Sequence, residues 1–221
     1  TLLDSSGAGK RALDATFSEL YGAKSIFESY DFVGRTDKGI FHDGFKLVFG
    51  ELPSEGMVAE AATRYLSLLK RNLLIQEPKL MPGVLALLEE LRRAGVSIGL
   101  ATGNLKEGAM LKLESAGIAE FFDFGGYGSD SADRIELTRL AFERGVSFRG
   151  EPLVQKDTLV VGDSTRDTLA ARGAGLDVMI VETGWTPSSE LEASNPDYLL
   201  KDLTDLGYIL SLFGISRTGN N

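Results

Sequence analysis

The 221 residues, 43% hydrophobic and 25% charged, are enough for one sizeable globular core or two small ones. A net charge of −9 argues against a general nucleic-acid or anionic-membrane surface, since both need a basic field. The absence of cysteine excludes disulfides, thiol catalysis and thiolate-bound zinc, and the single histidine, His42, excludes a multi-histidine metal site.

The chain opens abruptly on Thr1-Leu2-Leu3-Asp4, without methionine and without a signal-peptide pattern, which reads as though a segment precedes it. No apolar run is long enough to span a bilayer. Ala8–Tyr21 is expected as an amphipathic helix with Leu13, Phe17 and Leu20 on one face and Asp4-Ser5-Ser6 as its cap chemistry. Further helices are expected over Lys38–Phe49 and Met57–Leu74, the latter capped by Ser54, with no good strand between Gly7 and Glu77. From Leu80 the pattern changes to strand–helix alternation. Val84–Ala94 is a helix with Pro82 near its start and Gly95 past its end. A strand over Val96–Ala101 leads to a helix over Leu105–Ala116, stopped by Gly117. A strand over Phe121–Phe124, a Gly-rich loop and a helix over Ile135–Arg144 follow. Strands are expected at Thr158–Val161, Val178–Val181 and Tyr198–Leu200, with helices at Thr168–Ala174 and Leu203–Phe213 and a frayed tail at Arg217–Asn221.

Repeated strand–helix units with short loops imply an α/β fold with a parallel sheet covered on both faces. Such sheets bind ligands at the carboxyl ends of their strands. Three of those ends carry chemistry. In Gly162-Asp163-Ser164-Thr165-Arg166-Asp167 two acids straddle a strand end and a helix start. Hard oxygen ligands so placed suit Mg2+; the same two acids also suit helix capping. In Thr102-Gly103-Asn104 the hydroxyl and the following amides suit a phosphate, or else a plain N-cap. Arg134 follows Gly128–Asp133 into a helix, where its guanidinium could hold phosphate or lie on the surface.

Together and in this order these three stretches resemble the second, third and fourth motifs of the haloacid dehalogenase superfamily, with Arg134 where lysine is commoner. Met81-Pro82-Gly83-Val84 and Thr183-Gly184-Trp185 extend the resemblance over nearly the whole chain. The resemblance implies a Rossmann-like core with an inserted all-helical cap, divided as a remnant of the first motif (1–6), the cap (7–78) and the core (79–221). It implies a phosphatase similar to phosphoglycolate phosphatases, acting on a small phosphorylated metabolite in the cytoplasm with Mg2+ as cofactor, as a monomer or homodimer. The implied catalytic residues are Thr102, Arg134, Asp163 and Asp167. The implied phosphate or substrate contacts are Thr102, Gly103, Asn104, Arg134 and Arg35, and the implied metal ligands are Asp163 and Asp167, the latter directly, through water, or by holding Arg134. Thr1 looks like the last residue of the family's first motif, Asp-x-Asp-Gly-Thr, so the nucleophile and the acid/base aspartate are expected before Thr1, and residues 1–221 alone are expected to be inactive. Arg35, in a stretch similar to the family's substrate-facing cap loop, reads either a second acid group on the substrate or solvent. His42, Lys24 and Lys38 read as ordinary helical or solvated residues and Trp185 as packing. A phosphomutase similar to beta-phosphoglucomutase and a non-catalytic phosphate-binding relative stay open as alternatives. A haloacid dehalogenase proper would use no metal and would have no need of the acidic pair.

Overall fold

The computed structural model describes residues 1–150 and 157–215; the tail expected at Arg217–Asn221 lies outside them. Three helices, α1 (Ala8–Tyr21), α2 (Asp37–Phe49) and α3 (Glu55–Ile75), form one unit. Its core is aromatic: Phe17, Phe27, Phe41, Phe45 and Tyr65 are buried with Leu68 and Leu69. Phe17 meets Phe27 and Phe45 edge-on with centroids 5.4 and 5.2 Å apart, the geometry ring quadrupoles favour. Gly44 makes this possible, since a Cβ there would stand 2.6 Å from Phe17 Cζ. Thr36 and Ser54 cap α2 and α3 by accepting the Gly39 and Met57 amides. Asp4-Ser5-Ser6 does not cap α1. The Asp4 carboxylate takes the Ser6 amide in a local turn, and Gly7 occupies the cap position with φ 74°.

The chain leaves for this unit and returns from it through a short antiparallel pair, β1 (Leu3–Asp4) and β2 (Lys79–Leu80). Two residues are too few to show a period, so this pairing leaves no linear pattern. Beyond it lie α4 (Val84–Arg93), β3 (Gly99–Thr102), α5 (Lys106–Ser115), β4 (Phe124–Tyr127), α6 (Arg134–Arg149), β5 (Leu159–Gly162), α7 (Thr165–Ala174), β6 (Asp177–Val181), α8 (Ser188–Ala193), β7 (Tyr198–Leu200) and α9 (Leu206–Leu212). β3 pairs parallel with β4, and β5, β6 and β7 form a parallel set, so their carboxyl ends point one way within each set. The fold is a Rossmann-like α/β core with an inserted helical cap.

Several boundaries moved for physical reasons. Val96 belongs to the end of α4, where its amide bonds Leu91 O, so β3 begins only at Gly99. Ala119–Phe121 is a 3-10 turn that buries Phe121 in the core, and the strand starts at Phe124. It runs through glycines that composition marks as loop, because α6 lies hard against it: a Cβ on Gly126 would stand 1.9 Å from Leu137 O. α6 is longer than its apolar pattern, α9 starts at Leu206, and α8 was not anticipated. Leu100, Leu113, Phe121, Met179, Val181 and Ile209 build the main core, and Val178, Ile180, Leu191 and Ala171 pack on the other face of β6.

Candidate active site

β5 is a short apolar strand, and Asp163 follows it at the carboxyl end. The next turn is fixed by Asp167 in the first turn of α7. Its Oδ2 accepts from the Asp163 amide at 3.2 Å, the Ser164 amide at 3.1 Å and Ser164 Oγ at 2.7 Å. Its Oδ1 is ion-paired with Arg134, at the start of α6. Both oxygens are thus engaged, and Asp167 combines a capping role with a grip on Arg134. Only glycine fits at 162, since a Cβ there would stand 2.3 Å from Asp167 Cβ. Arg134 is mostly buried, and its Nε is buried with no hydrogen-bond partner. A buried, unbonded guanidinium N–H has a standing need for an acceptor, which an anionic ligand supplies.

Asp163 differs from Asp167. Its carboxylate contacts the amino group of Thr1 and remains partly exposed. The turn after β6 lies against it, for a Cβ on Gly184 would come within 2.9 Å of Asp163 Cγ. The first residue of the chain therefore abuts the acid at the end of β5. As a donor set for Mg2+, Asp163 fits, being an accessible hard oxygen ligand; Asp167 fits only by giving up bonds it already makes. Among the described residues no group of three or more His, Asp or Glu side chains is gathered for a metal. Mg2+ is commonly held by one or two carboxylates with substrate and water completing the shell, so a single accessible carboxylate is compatible with it.

Thr102 ends β3, and its Oγ1 accepts the Asn104 amide at 3.2 Å. The Asn104 side chain does not face an open site. It donates to Asp37 and accepts from Lys112, so its side-chain groups are already bonded. Gly103 is buried under the loop before α2. Thr102, Gly103 and Asn104 make no hydrogen bond to Asp163 or Arg134; the Arg134–Asp167 pair ties the start of α6 to the start of α7.

Arg35 lines a cleft of about 390 Å3 with Gly34, Thr36, Arg134, Ile135 and Arg166. It pairs loosely with Asp43 at 3.6 Å and lies over the Tyr30 ring at 5.7 Å. Burial, and then the bond to Asp43, pushes the Tyr30 phenol well up. Arg166, passed over in the sequence, packs its stem under Gly34 and brings a further positive charge to the same cleft. The available signal was an arginine inside the acidic stretch. A second cavity of about 280 Å3 lies at the opposite, amino ends of β5 and β6, by Asp157 and Asp177. Lys24 is exposed, His42 and Lys38 are half-buried on α2, and Trp185 is 91% exposed, contrary to the packing role expected for it.

The model of a family described as haloacid dehalogenase-like hydrolase matches residues 1–181. The phosphoglycolate phosphatase of Synechococcus elongatus is 32% identical over 129 residues, covering 58% of this chain and 58% of that protein. The pyrophosphatase PpaX of Halalkalibacterium halodurans is 26% identical over 124 residues, 56% of each. The probable phosphatase IndB of Dickeya dadantii is 30% identical over 160 residues, 70% of this chain and 67% of that one. The match thus spans little more than half the length of the first two. The crystal structure of CbbY from Rhodobacter sphaeroides in complex with phosphate superposes with a TM-score of 0.72 at 24% identity, covering 94% of this chain and 92% of that one. A predicted phosphatase from Clostridium acetobutylicum gives 0.72 at 21%, covering 96% and 94%. At these identities the two structures speak for the fold.

Proposed function

Because this chain belongs to the haloacid dehalogenase-like hydrolases, we propose that it is a phosphatase acting on a small phosphate monoester, built of a helical cap and an α/β core. The observation that carries this reading is the pairing of Arg134 with Asp167, with the Arg134 Nε buried and unbonded, close to Asp163 at the carboxyl end of β5. Residues preceding Thr1 would run past Asp163, at the carboxyl end of β5. There an Asp-x-Asp-Gly stretch would place its first carboxylate for attack on phosphorus and its second to hand a proton to the departing alcohol, then to take one from the hydrolysing water. No Asp-x-Asp-Gly occurs within residues 1–221.

In this reading Arg134 balances charge on the transferring group, held in place by Asp167. Thr102 offers its hydroxyl and the turn after it offers backbone. Asp163 would hold Mg2+, which when bound neutralises charge on the phosphoryl oxygens. Residues 7–78 act as the cap, with Arg35 towards the substrate, on a core of residues 79–221 joined through residues 1–6. We place the protein in the cytoplasm, as the family resemblance implies. Among the described residues no helix is long and apolar enough to cross a membrane.

The test uses the full chain with the segment that precedes Thr1. EDTA abolishes phosphate release from monoesters and Mg2+ restores it. Asp163→Asn keeps the size but removes a charge, so it weakens Mg2+ binding measured by calorimetry and cuts turnover while leaving the circular dichroism spectrum unchanged. Metal affinity and turnover both untouched in Asp163→Asn would overturn the metal assignment. Isomerised ester without released phosphate would make the protein a mutase.

A further inference from the structure

A buried polar group that no step of this reaction uses lies where the cap meets the core. Asp37, the first residue of α2, is 3% exposed. Its carboxylate accepts the Leu105 amide at 2.8 Å and Asn104 Nδ2 at 3.3 Å. Asn104 Oδ1 accepts from Lys112 Nζ at 2.8 Å, so Asn104 stands between a buried acid on the cap and a half-buried base on α5. Tyr65 of α3 also faces this group, and burial, with the Asp37 charge, pushes its phenol up. Burial drives the Asp37 carboxyl up and the Lys112 ammonium down, and the charge of each partner opposes the other's shift.

Leu105 is the N-cap position of α5 and brings no side-chain cap of its own. Asp37 supplies the acceptor that this helix start lacks, and it does so from the other unit. The backbones interlock at the same place. The Asp37 amide donates to Gly103 O at 2.7 Å, and a Cβ on Gly103 would stand 2.4 Å from Arg35 O. A Cβ on Gly128 would stand 2.0 Å from Gly103 O, so the Gly103 peptide is clamped between the cap loop and the chain just after β4. Thr36 Oγ1 adds a longer bond, 3.4 Å, to Ala132 O.

We propose that Asp37 is a positioning residue that seats the cap on the Thr102-Gly103-Asn104 turn, so that the turn keeps its ligand-binding shape only while the cap is in place. Lifting the cap takes the acceptor from the Leu105 amide, frees the Asn104 amide group and leaves Lys112 without its counter-charge, all at once. A side chain that caps a helix of its own unit would stabilise that unit alone. This one makes the ordering of a core loop depend on where the cap sits. The phosphate-binding role of the turn rests on the function proposed above; the seating does not.

The experiment compares the full chain with its Asp37→Ala and Asp37→Asn variants by hydrogen exchange of the Leu105 amide and by affinity for inorganic phosphate. In Asp37→Ala the Leu105 amide is expected to exchange at least roughly tenfold faster and phosphate to bind about tenfold more weakly. Asp37→Asn keeps an acceptor oxygen and recovers most of the Leu105 protection, a rescue that a change in global stability alone would not give. Turnover falls by one common factor for every ester, because the turn and not the leaving group is disturbed. If Asp37→Ala does not fold, Gly103→Ala pries the cap loop away with Asp37 intact and should expose the same amide. Unchanged Leu105 exchange and phosphate affinity in a folded Asp37→Ala protein overturns the proposal. Loss of Leu105 protection in a protein whose parent binds no phosphate leaves the seating in place and removes the phosphatase reading instead.

Discussion

Two arginines and one glycine divide the work of the site, and substitution separates them. Gly162→Ala forces the Asp167 side chain to move, since the new Cβ would lie 2.3 Å from Asp167 Cβ. Arg134 depends on Asp167 for its position, so turnover should fall for every ester alike, whatever the leaving group, in steady-state assays of the full chain. Asp167→Asn should act the same way, through a loosened Arg134. Arg35→Ala should discriminate. It stands in the cleft beside Arg134, only loosely paired with Asp43. Its loss should lower kcat/KM for a carboxylate-bearing ester by roughly 1.5–3 kcal/mol, the worth of one charge-assisted contact, and leave an uncharged aryl phosphate nearly unaffected. Equal losses on both esters would show that Arg35 does not read the substrate.

The element that carries Arg134 is α6, and its anchorage to the strand before it is electrostatic as well as apolar. Arg144 holds Asp130 through both guanidinium nitrogens, at 2.7 and 2.8 Å, and also reaches Gly125 O on β4. The Arg144 hydrogen bond holds the Asp130 carboxyl below its usual range. A carboxyl depressed by folding adds stability above its unfolded pKa of about 3.9, and that stability is lost as pH falls through the lower folded value. Arg144→Gln should therefore lower the melting temperature at pH 7. The gap to the parent should shrink as the pH is brought below about 4 and Asp130 is protonated. The pair is partly exposed, so the effect is modest and should weaken in high salt. A melting gap that holds constant through acid pH would show that the bond to Gly125 O, and not the ion pair, does the anchoring.

At the scale of the molecule, β3 and β5 each pair on one side only among the described residues. Strand edges of this kind offer unpaired amides and carbonyls to any chain that can reach them. Thr1 lies against Asp163, at the carboxyl end of β5. A chain extended before Thr1 by an apolar strand ending Asp-x-Asp-Gly should add its ladder there, and should melt several degrees above residues 1–221 by calorimetry and release phosphate faster than they do. Equal melting temperatures would mean that the preceding residues do not join the sheet.

Much of this was legible in the order of residues. Ala8–Tyr21 and Tyr198–Leu200 have the limits their patterns imply, and the strands ending near Thr102 and Asp163 carry the polar turns from which the family resemblance was read. Periodicity, glycine stops and capping residues act within a few positions of each other, so a linear pattern records them. The pattern misplaced β4, because its glycines answer to the backbone of α6 and not to their neighbours in sequence. It left Asp167 open between ligand, cap and support for Arg134, a partner 33 residues away. It was silent on Asp37, whose bond to the Leu105 amide spans 68 residues. Local chemistry determined which segments became strand and helix; only packing decided which buried polar groups met, because a buried donor or acceptor takes whatever partner the fold brings within about 3 Å of it.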